Sequence, residues 1–214
     1  MHVVVFTSPS VQKGAFVSEA IKTADKIIAA DCGALSALSL GITPEVVIGD
    51  FDSLDQRTIS KLESQNVEFI RMLATKDETD TQLAITHAIE LGATKISLVG
   101  GIMGNRFEHA VANIFLTYNP QIPICLVNGP SKTWIIAGPQ TATIQGQKND
   151  LLSLTALSPE VTGMTTKGLQ YPLRNESLHF GVPRGISNVF LDSAASITFE
   201  NGMLLLAHTN SEEL

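Results

Sequence analysis

Hydrophobic positions fall in two textures along the chain. Up to about residue 128, short apolar runs alternate with stretches in which apolar residues recur at helical spacing. The runs are 2–6, 26–30, 45–48, 67–71, 95–99 and 122–127, each of strand length. Between them, 78–91 sets Leu83, Ala84, Ala88 and Leu91 on one stripe, and 106–118 reads as a second helix stopped by Asn119-Pro120. Thr75 with Glu78 suits a capping box ahead of the first of these, and Asp77 is an alternative N-cap. Strands alternating with helices predict a mostly parallel sheet with helices on its faces.

The pattern changes after Asn128-Gly129-Pro130. The β-rich runs 133–137, 141–145, 151–157, 161–166, 188–192, 196–200 and 203–208 follow, with no useful amphipathic helix. Gly138-Pro139-Gln140 and Asn201-Gly202 both predict hairpin turns, the second more strongly. The expected architecture is α/β over residues 1–130 and an all-β sandwich over 131–214.

Composition adjusts this picture only a little. The chain has 214 residues, 44% hydrophobic, enough for a sizeable core. Its 14 basic and 21 acidic residues leave a net charge of −7 and no basic tract, which disfavours nucleic acid and anionic lipid. No apolar run suits a signal peptide or a membrane span. Two cysteines, Cys32 and Cys125, are too few for a disulfide framework, so a reducing, cytoplasmic setting is expected.

Position matters more than the total charge. Only seven acids lie from residue 131 onward; the other fourteen lie in the first part, several at predicted strand ends. Asp50 and Asp52 follow one strand and, two apart in extended chain, face one small volume. The carboxyl ends of strands are where open α/β sheets bind ligands. Paired carboxylates suit Mg²⁺ together with substrate phosphates; a loop with an Asp55 helix cap is the bland alternative. Lys76-Asp77-Glu78-Thr79-Asp80 is a second acidic cluster. Acids in a first helical turn explain part of it, and Asp80 is a candidate to complete a metal site with Asp50 and Asp52. Gly100, Gly101 and Gly104 precede Arg106 at a strand-to-helix turn, a place for an anion or simply a tight turn. Arg106 is suited to clamping phosphate, with His109 one turn further on. Asp31, at another strand end, reads first as a helix cap.

In this order the motifs resemble those of the thiamine pyrophosphokinase family. Ala30-Asp31-Cys32-Gly33-Ala34 is similar to its Ala-Asp-Gly-Gly-Ala turn. Leu40-Gly41-Ile42-Thr43-Pro44 leading to Gly49-Asp50-Phe51-Asp52-Ser53 is the most diagnostic segment. Lys76–Asp80 matches Lys-Asp-x-Thr-Asp, and Gly104 to His109 with Ala112-Asn113 resembles Gly-Gly-Arg-x-Asp-His-x-x-Ala-Asn. Residues 163–173 with Ser187-Asn188 are similar to the thiamine-binding domain.

The resemblance implies transfer of a pyrophosphoryl group from ATP to thiamine, giving thiamine diphosphate and AMP. It implies Mg²⁺ at Asp50, Asp52 and Asp80, with Asp77 as a helper. Asp31, the Gly100–Gly104 turn, Arg106, Glu108 and His109 would serve the nucleotide, and Tyr171, Ser187 and Asn188 the thiamine. A homodimer with active sites shared between subunits is also implied. Three departures stand out: Cys32 for glycine, Glu108 for aspartate, and Val189 where an acid is usual. They motivate the alternative of a thiamine- or nucleotide-binding protein with weakened catalysis. Asp50-Phe51-Asp52 read alone also suits a metal-dependent sugar-nucleotide transferase, but that leaves 76–80 and 165–173 unused.

Overall fold

The structure, a computed structural model, describes residues 1–73, 75–102 and 106–214. The chain divides into two compact units, Met1–Gly129 and Pro130–Leu214. Among the described residues no helix is long and apolar enough to cross a membrane.

The first unit alternates β1 (His2–Phe6), α1 (Ala15–Lys22), β2 (Lys26–Ala30), α2 (Gly33–Ser39), β3 (Val46–Gly49), α3 (Gln56–Ser64), β4 (Glu68–Arg71), α4 (Asp80–Glu90), β5 (Lys95–Val99), α5 (Phe107–Phe115) and β6 (Ile124–Asn128). Every strand pairing in it is parallel, in the order β6-β5-β1-β2-β3-β4. All five residues of β1 are buried, as a strand flanked on both edges and covered on both faces requires. Ala84, Ile85 and Ala88 of α4 join Val3, Val5, Ile28, Ile48 and Leu98 in one core cluster. Gly33 lets α2 begin against β1, because a Cβ there would stand 2.1 Å from the Phe6 carbonyl oxygen. Strand order reverses between β1 and β5, so the loops leaving their carboxyl ends open a crevice there.

Helix boundaries depart from expectation at α4. Thr79, not Thr75 or Asp77, is its N-cap, with its hydroxyl accepting the Gln82 N–H at 3.2 Å. The predicted capping box does not form: the helix starts five residues later than Thr75, and Asp80 falls in the first turn. At α3 the bland reading holds for Asp55, whose carboxylate caps Thr58 N at 2.7 Å.

The second unit contains β7 (Ser131–Ala137), β8 (Gln140–Gln145), β9 (Leu151–Ala156), β10 (Glu160–Lys167), β11 (Arg174–His179), β12 (Gly185–Val189), β13 (Ala194–Phe199) and β14 (Met203–Thr209). Two antiparallel sheets result, β12-β9-β14-β7 and β11-β10-β13-β8. Inward positions alternate along β9 and β14, and Leu152, Leu154, Leu204 and Leu206 meet Val161, Met164, Ile197 and Phe199 in one core.

Neither predicted hairpin exists. β7 and β8 lie in different sheets, as do β13 and β14, so both turns carry the chain from one sheet to the other. A type I′ hairpin needs both central residues left-handed, and of Asn201 and Gly202 only Gly202 is, at φ 104°. The two corners instead bond to each other, Gly138 N donating to Gly202 O at 2.9 Å. The strand β11 carries no apolar alternation (Arg-Asn-Glu-Ser-Leu-His), which is why the hydrophobic pattern passes over it.

Asp150 ties the turn before β9 to the end of β14 and the segment after it. Buried to 3% exposure, it accepts Gln147 N at 2.9 Å and Ser211 N at 3.2 Å, and lies 2.7 Å from His208 Nε2. Removing a buried acceptor strands several donors at once. Asp150→Ala is expected to lower unfolding stability by about 3 kcal/mol. Urea titration measures this, and a loss under about 1 kcal/mol would refute the role.

Candidate active site

The loops leaving β1, β2, β3 and β5, with the starts of α4 and α5, enclose a cavity of about 720 Å³. Thr7 and Ser8 reach it from β1, Asp31 and Cys32 from β2, and Asp50 and Asp52 from β3. Lys76 and Asp80 come from the stretch before α4 and from its first turn, Gly101 from the loop after β5, and Arg106, Glu108 and His109 from the start of α5.

The acidic centre is built differently from an extended Asp-x-Asp. Phe51 takes a left-handed backbone, φ 65°, and turns its ring inward, buried edge-on against Phe69 at 5.1 Å with the Arg71 guanidinium 4.8 Å above it. Arg71 also donates to the Asp50 carbonyl at 2.9 Å. This kink, with Asp52 N bonded to Asp50 Oδ1 at 3.2 Å, brings the two carboxylates together. Their third partner is Asp31, not Asp80. Carboxylate oxygens of Asp31, Asp50 and Asp52 all lie within 4.8 Å of one another.

Asp31 is the most informative member. It is 5% exposed, its φ is 41°, and its Oδ1 has no hydrogen-bond partner. Burial raises its pKa, and the negative charges of Asp80 and Asp50 add to the effect; the Ser53 hydroxyl and Cys32 N–H oppose it. It is not a side-chain cap for α2, whose N-cap Cys32 makes no such bond. A buried carboxylate with one oxygen lacking a donor, close to two more carboxylates, fits a hard cation with oxygen preference.

Asp80 lines the same cavity but is engaged with Lys76, both half-buried. Asp77 is exposed and does not line the cavity. Gly101 takes φ 80°, and a Cβ on it would stand 2.5 Å from Thr7 Oγ1 and 2.8 Å from Asn113 Nδ2. Its N–H donates to Ser8 Oγ and its carbonyl accepts from the buried Asn113 side chain, both at 3.0 Å. Gly100 bonds across to the Val127 carbonyl. Gly104 lies outside the described residues. Arg106 pairs with Glu108 at 2.8 Å, an exposed contact that holds the Glu108 carboxyl below its usual range.

Two departures prove structurally mild. Cys32 has φ −59°, a backbone open to any residue, so no glycine is needed there. Its thiol is pushed up to about 11 by burial and by Asp31, so it stays protonated. Glu108 keeps a carboxylate beside Arg106. Tyr171, Ser187 and Asn188 are carried by the second unit: Tyr171 and Ser187 are exposed, and Asn188 is buried. Thr7, Ser8, Lys76 and Asn113 also line the cavity without a role assigned by the sequence motifs, although Thr7 and Ser8 follow a strand end and fit that rule.

The model for the thiamin pyrophosphokinase catalytic domain matches residues 17–126, and that for the thiamin pyrophosphokinase vitamin B1 binding domain matches 141–204. The chain belongs to the thiamin pyrophosphokinase family. A thiamine pyrophosphokinase from Bacillus subtilis (strain 168) is 28% identical over 182 residues, spanning 84% of this chain and 85% of that protein. A crystal structure of thiamin pyrophosphokinase from Geobacillus thermodenitrificans is 25% identical, with TM-score 0.80 and full coverage of both chains. One of thiamine pyrophosphokinase from Bacillus subtilis shares the fold at TM-score 0.84, 22% identity, and coverage of 99% and 100%. These matches favour neither the sugar-nucleotide transferase reading nor the weakened-paralogue reading.

The acidic centre has a measurable signature. A raised pKa means the folded chain holds the Asp31 proton more tightly than the unfolded one. Its contribution to stability is therefore fullest below the ordinary carboxylate pKa and is lost as pH rises through the raised value. Asp31→Asn is expected to raise the Tm of metal-free protein at about pH 8, with the gain vanishing near pH 4. The same change should abolish the stabilisation that added divalent cation is expected to give the unsubstituted chain. Calorimetry with and without cation checks both, and an unchanged cation response would refute the assignment of Asp31.

Proposed function

We propose that this chain transfers the pyrophosphoryl group of ATP to the hydroxyl of thiamine, releasing AMP and thiamine diphosphate, with Mg²⁺ held by Asp31, Asp50 and Asp52. The observation that carries the reading is the buried carboxylate of Asp31, with one oxygen orphaned, grouped with Asp50 and Asp52 at the sheet's carboxyl edge, in a chain whose two halves match the two domain models of the family. Mg²⁺, when bound, would neutralise charge on the triphosphate.

The chain's own residues do the positioning. In phosphoryl transfer the protein has little covalent work to do, and alignment with charge neutralisation dominates. Lys76 and Arg106 bring the cationic side chains that line the cavity, each poised on a carboxylate, Asp80 and Glu108 respectively. A triphosphate entering the cavity offers both a stronger partner. Gly101, bonded to Ser8 and Asn113, forms part of the cavity wall. Asp80 lies close enough to raise the Asp31 pKa, so it shares the field of the acidic centre without belonging to the triad. The second unit takes the thiamine through Tyr171 and Ser187. A cytoplasmic homodimer completes the proposal, supported by the sequence resemblance and by two free cysteines.

Purified protein given ATP, Mg²⁺ and thiamine should release AMP and thiamine diphosphate in equal amounts. Asp50→Asn and Asp52→Asn should each lower kcat by roughly a hundredfold or more while circular dichroism stays unchanged. Near-normal turnover in either variant would remove that carboxylate from the reaction. Absence of thiamine diphosphate with the unsubstituted protein would overturn the activity itself.

A further inference from the structure

Tyr171 presents a ring that is 65% exposed on a backbone that is closely held. Gln170 N donates to the Val189 carbonyl at 2.9 Å and Leu191 N to the Gly168 carbonyl at 3.0 Å, so 168–170 runs against the end of β12 and the residues after it. Just beyond the Gln170–Val189 bond, opposite Tyr171, lies Asn188, 8% exposed. Its Oδ1 accepts Tyr171 N and Val189 N, each at 3.0 Å, and its Nδ2 donates to the Tyr171 carbonyl at 2.7 Å. One amide thus clasps both polar groups of the Tyr171 backbone. Both lone pairs of the amide oxygen and one N–H are consumed.

The neighbouring residue is shaped to the same end. Ser187 sits in the left-handed region at φ 55°, within a break of register between β12 and β9. Its N–H is taken by Ser153 Oγ at 3.0 Å. A bulge of this kind re-aims the side chains that follow it and leaves its cost to the surrounding structure. Here it delivers Asn188 inward, beneath the exposed Tyr171. An exposed aromatic ring has few packing contacts to orient it, so its direction depends on how firmly its own Cα is fixed.

We propose that Asn188 is a positioning residue: it acts on thiamine only through Tyr171, by fixing the backbone that presents the Tyr171 ring as a face for the flat, cationic ligand. This rests on the activity proposed above. A cation attracted to an aromatic face, and a ring whose orientation is settled before binding, both favour affinity for such a ligand. The resemblance alone assigns Asn188 a direct contact with thiamine, and the clasp replaces that role.

A double-mutant cycle separates the two. With ATP saturating, Tyr171→Ala and Asn188→Ala should each raise the thiamine KM by about tenfold, the factor set by one buried hydrogen bond or one lost stacking face. The ATP KM should stay unchanged in both. The Tyr171→Ala/Asn188→Ala double variant should be no worse than Tyr171→Ala alone. Tyr171→Phe, which keeps the face, should stay near the unsubstituted value. If Asn188→Ala does not fold, Asn188→Asp serves in the same cycle, since it retains the acceptor for the two N–H groups and turns the donor to the Tyr171 carbonyl into an oxygen that repels it. Factors that multiply in the double variant would overturn the proposal, because Asn188 would then act on the ligand independently. Turnover with an unchanged thiamine KM in Tyr171→Ala would overturn it too, leaving the activity intact. No turnover by the unsubstituted protein would overturn the activity and the proposal together.

Discussion

The pairing of β1 with parallel neighbours on both edges is the constraint on which the first unit depends. Its residues are buried throughout, so every backbone group must find a partner in the sheet and none is left to water. Parallel pairing aligns the strands in one direction, and their carboxyl ends share an edge. Because strand order reverses at β1, the loops after β1 and β5 diverge and leave space between them. The polar residues of the site are those the chain places immediately after its apolar runs. Their convergence follows from the sheet and not from any attraction among them.

Electrostatics alone would drive the acidic centre apart. Three carboxylates within 4.8 Å repel, and one of them is buried with an oxygen that nothing satisfies. Such a group costs free energy in the bare chain. The fold tolerates it because the kink at Phe51 is anchored by a buried ring and by Arg71, and because the Asp31 backbone is tied to Ile48 by a 2.8 Å hydrogen bond. The packing thus stores a repulsion that a divalent cation would relieve, which links the architecture of the sheet to the chemistry proposed for its edge.

The second unit uses hydrogen bonds for a different purpose. Asp150 closes the turn at Gln147 and the start of the final segment, and Asn188 holds the Tyr171 backbone. Both are polar side chains spent on backbone rather than on solvent. That is the usual fate of a buried polar group, and it makes a motif residue in such a position a support for an exposed neighbour.

Periodicity made the alternating strands, two of the helices and the change to β structure near residue 130 legible, because burial of apolar faces is a local pattern in the chain. The acids at strand ends were legible as candidates for the same reason: a strand's end can be read from its apolar run. Membership of the triad was not. Asp31 and Asp80 are both acids near strand or helix ends, and nothing local says that Asp31 turns inward while Asp80 pairs with Lys76. Asn201-Gly202 likewise has the composition of a hairpin, but pairing partners are chosen by the two sheets. Sequence by itself determined most of the strands, where the polar ends fall and which family motifs they form. Tertiary structure decided which ends meet, because distance between side chains depends on strand order and backbone handedness, and neither is encoded in the spacing of residues along the chain.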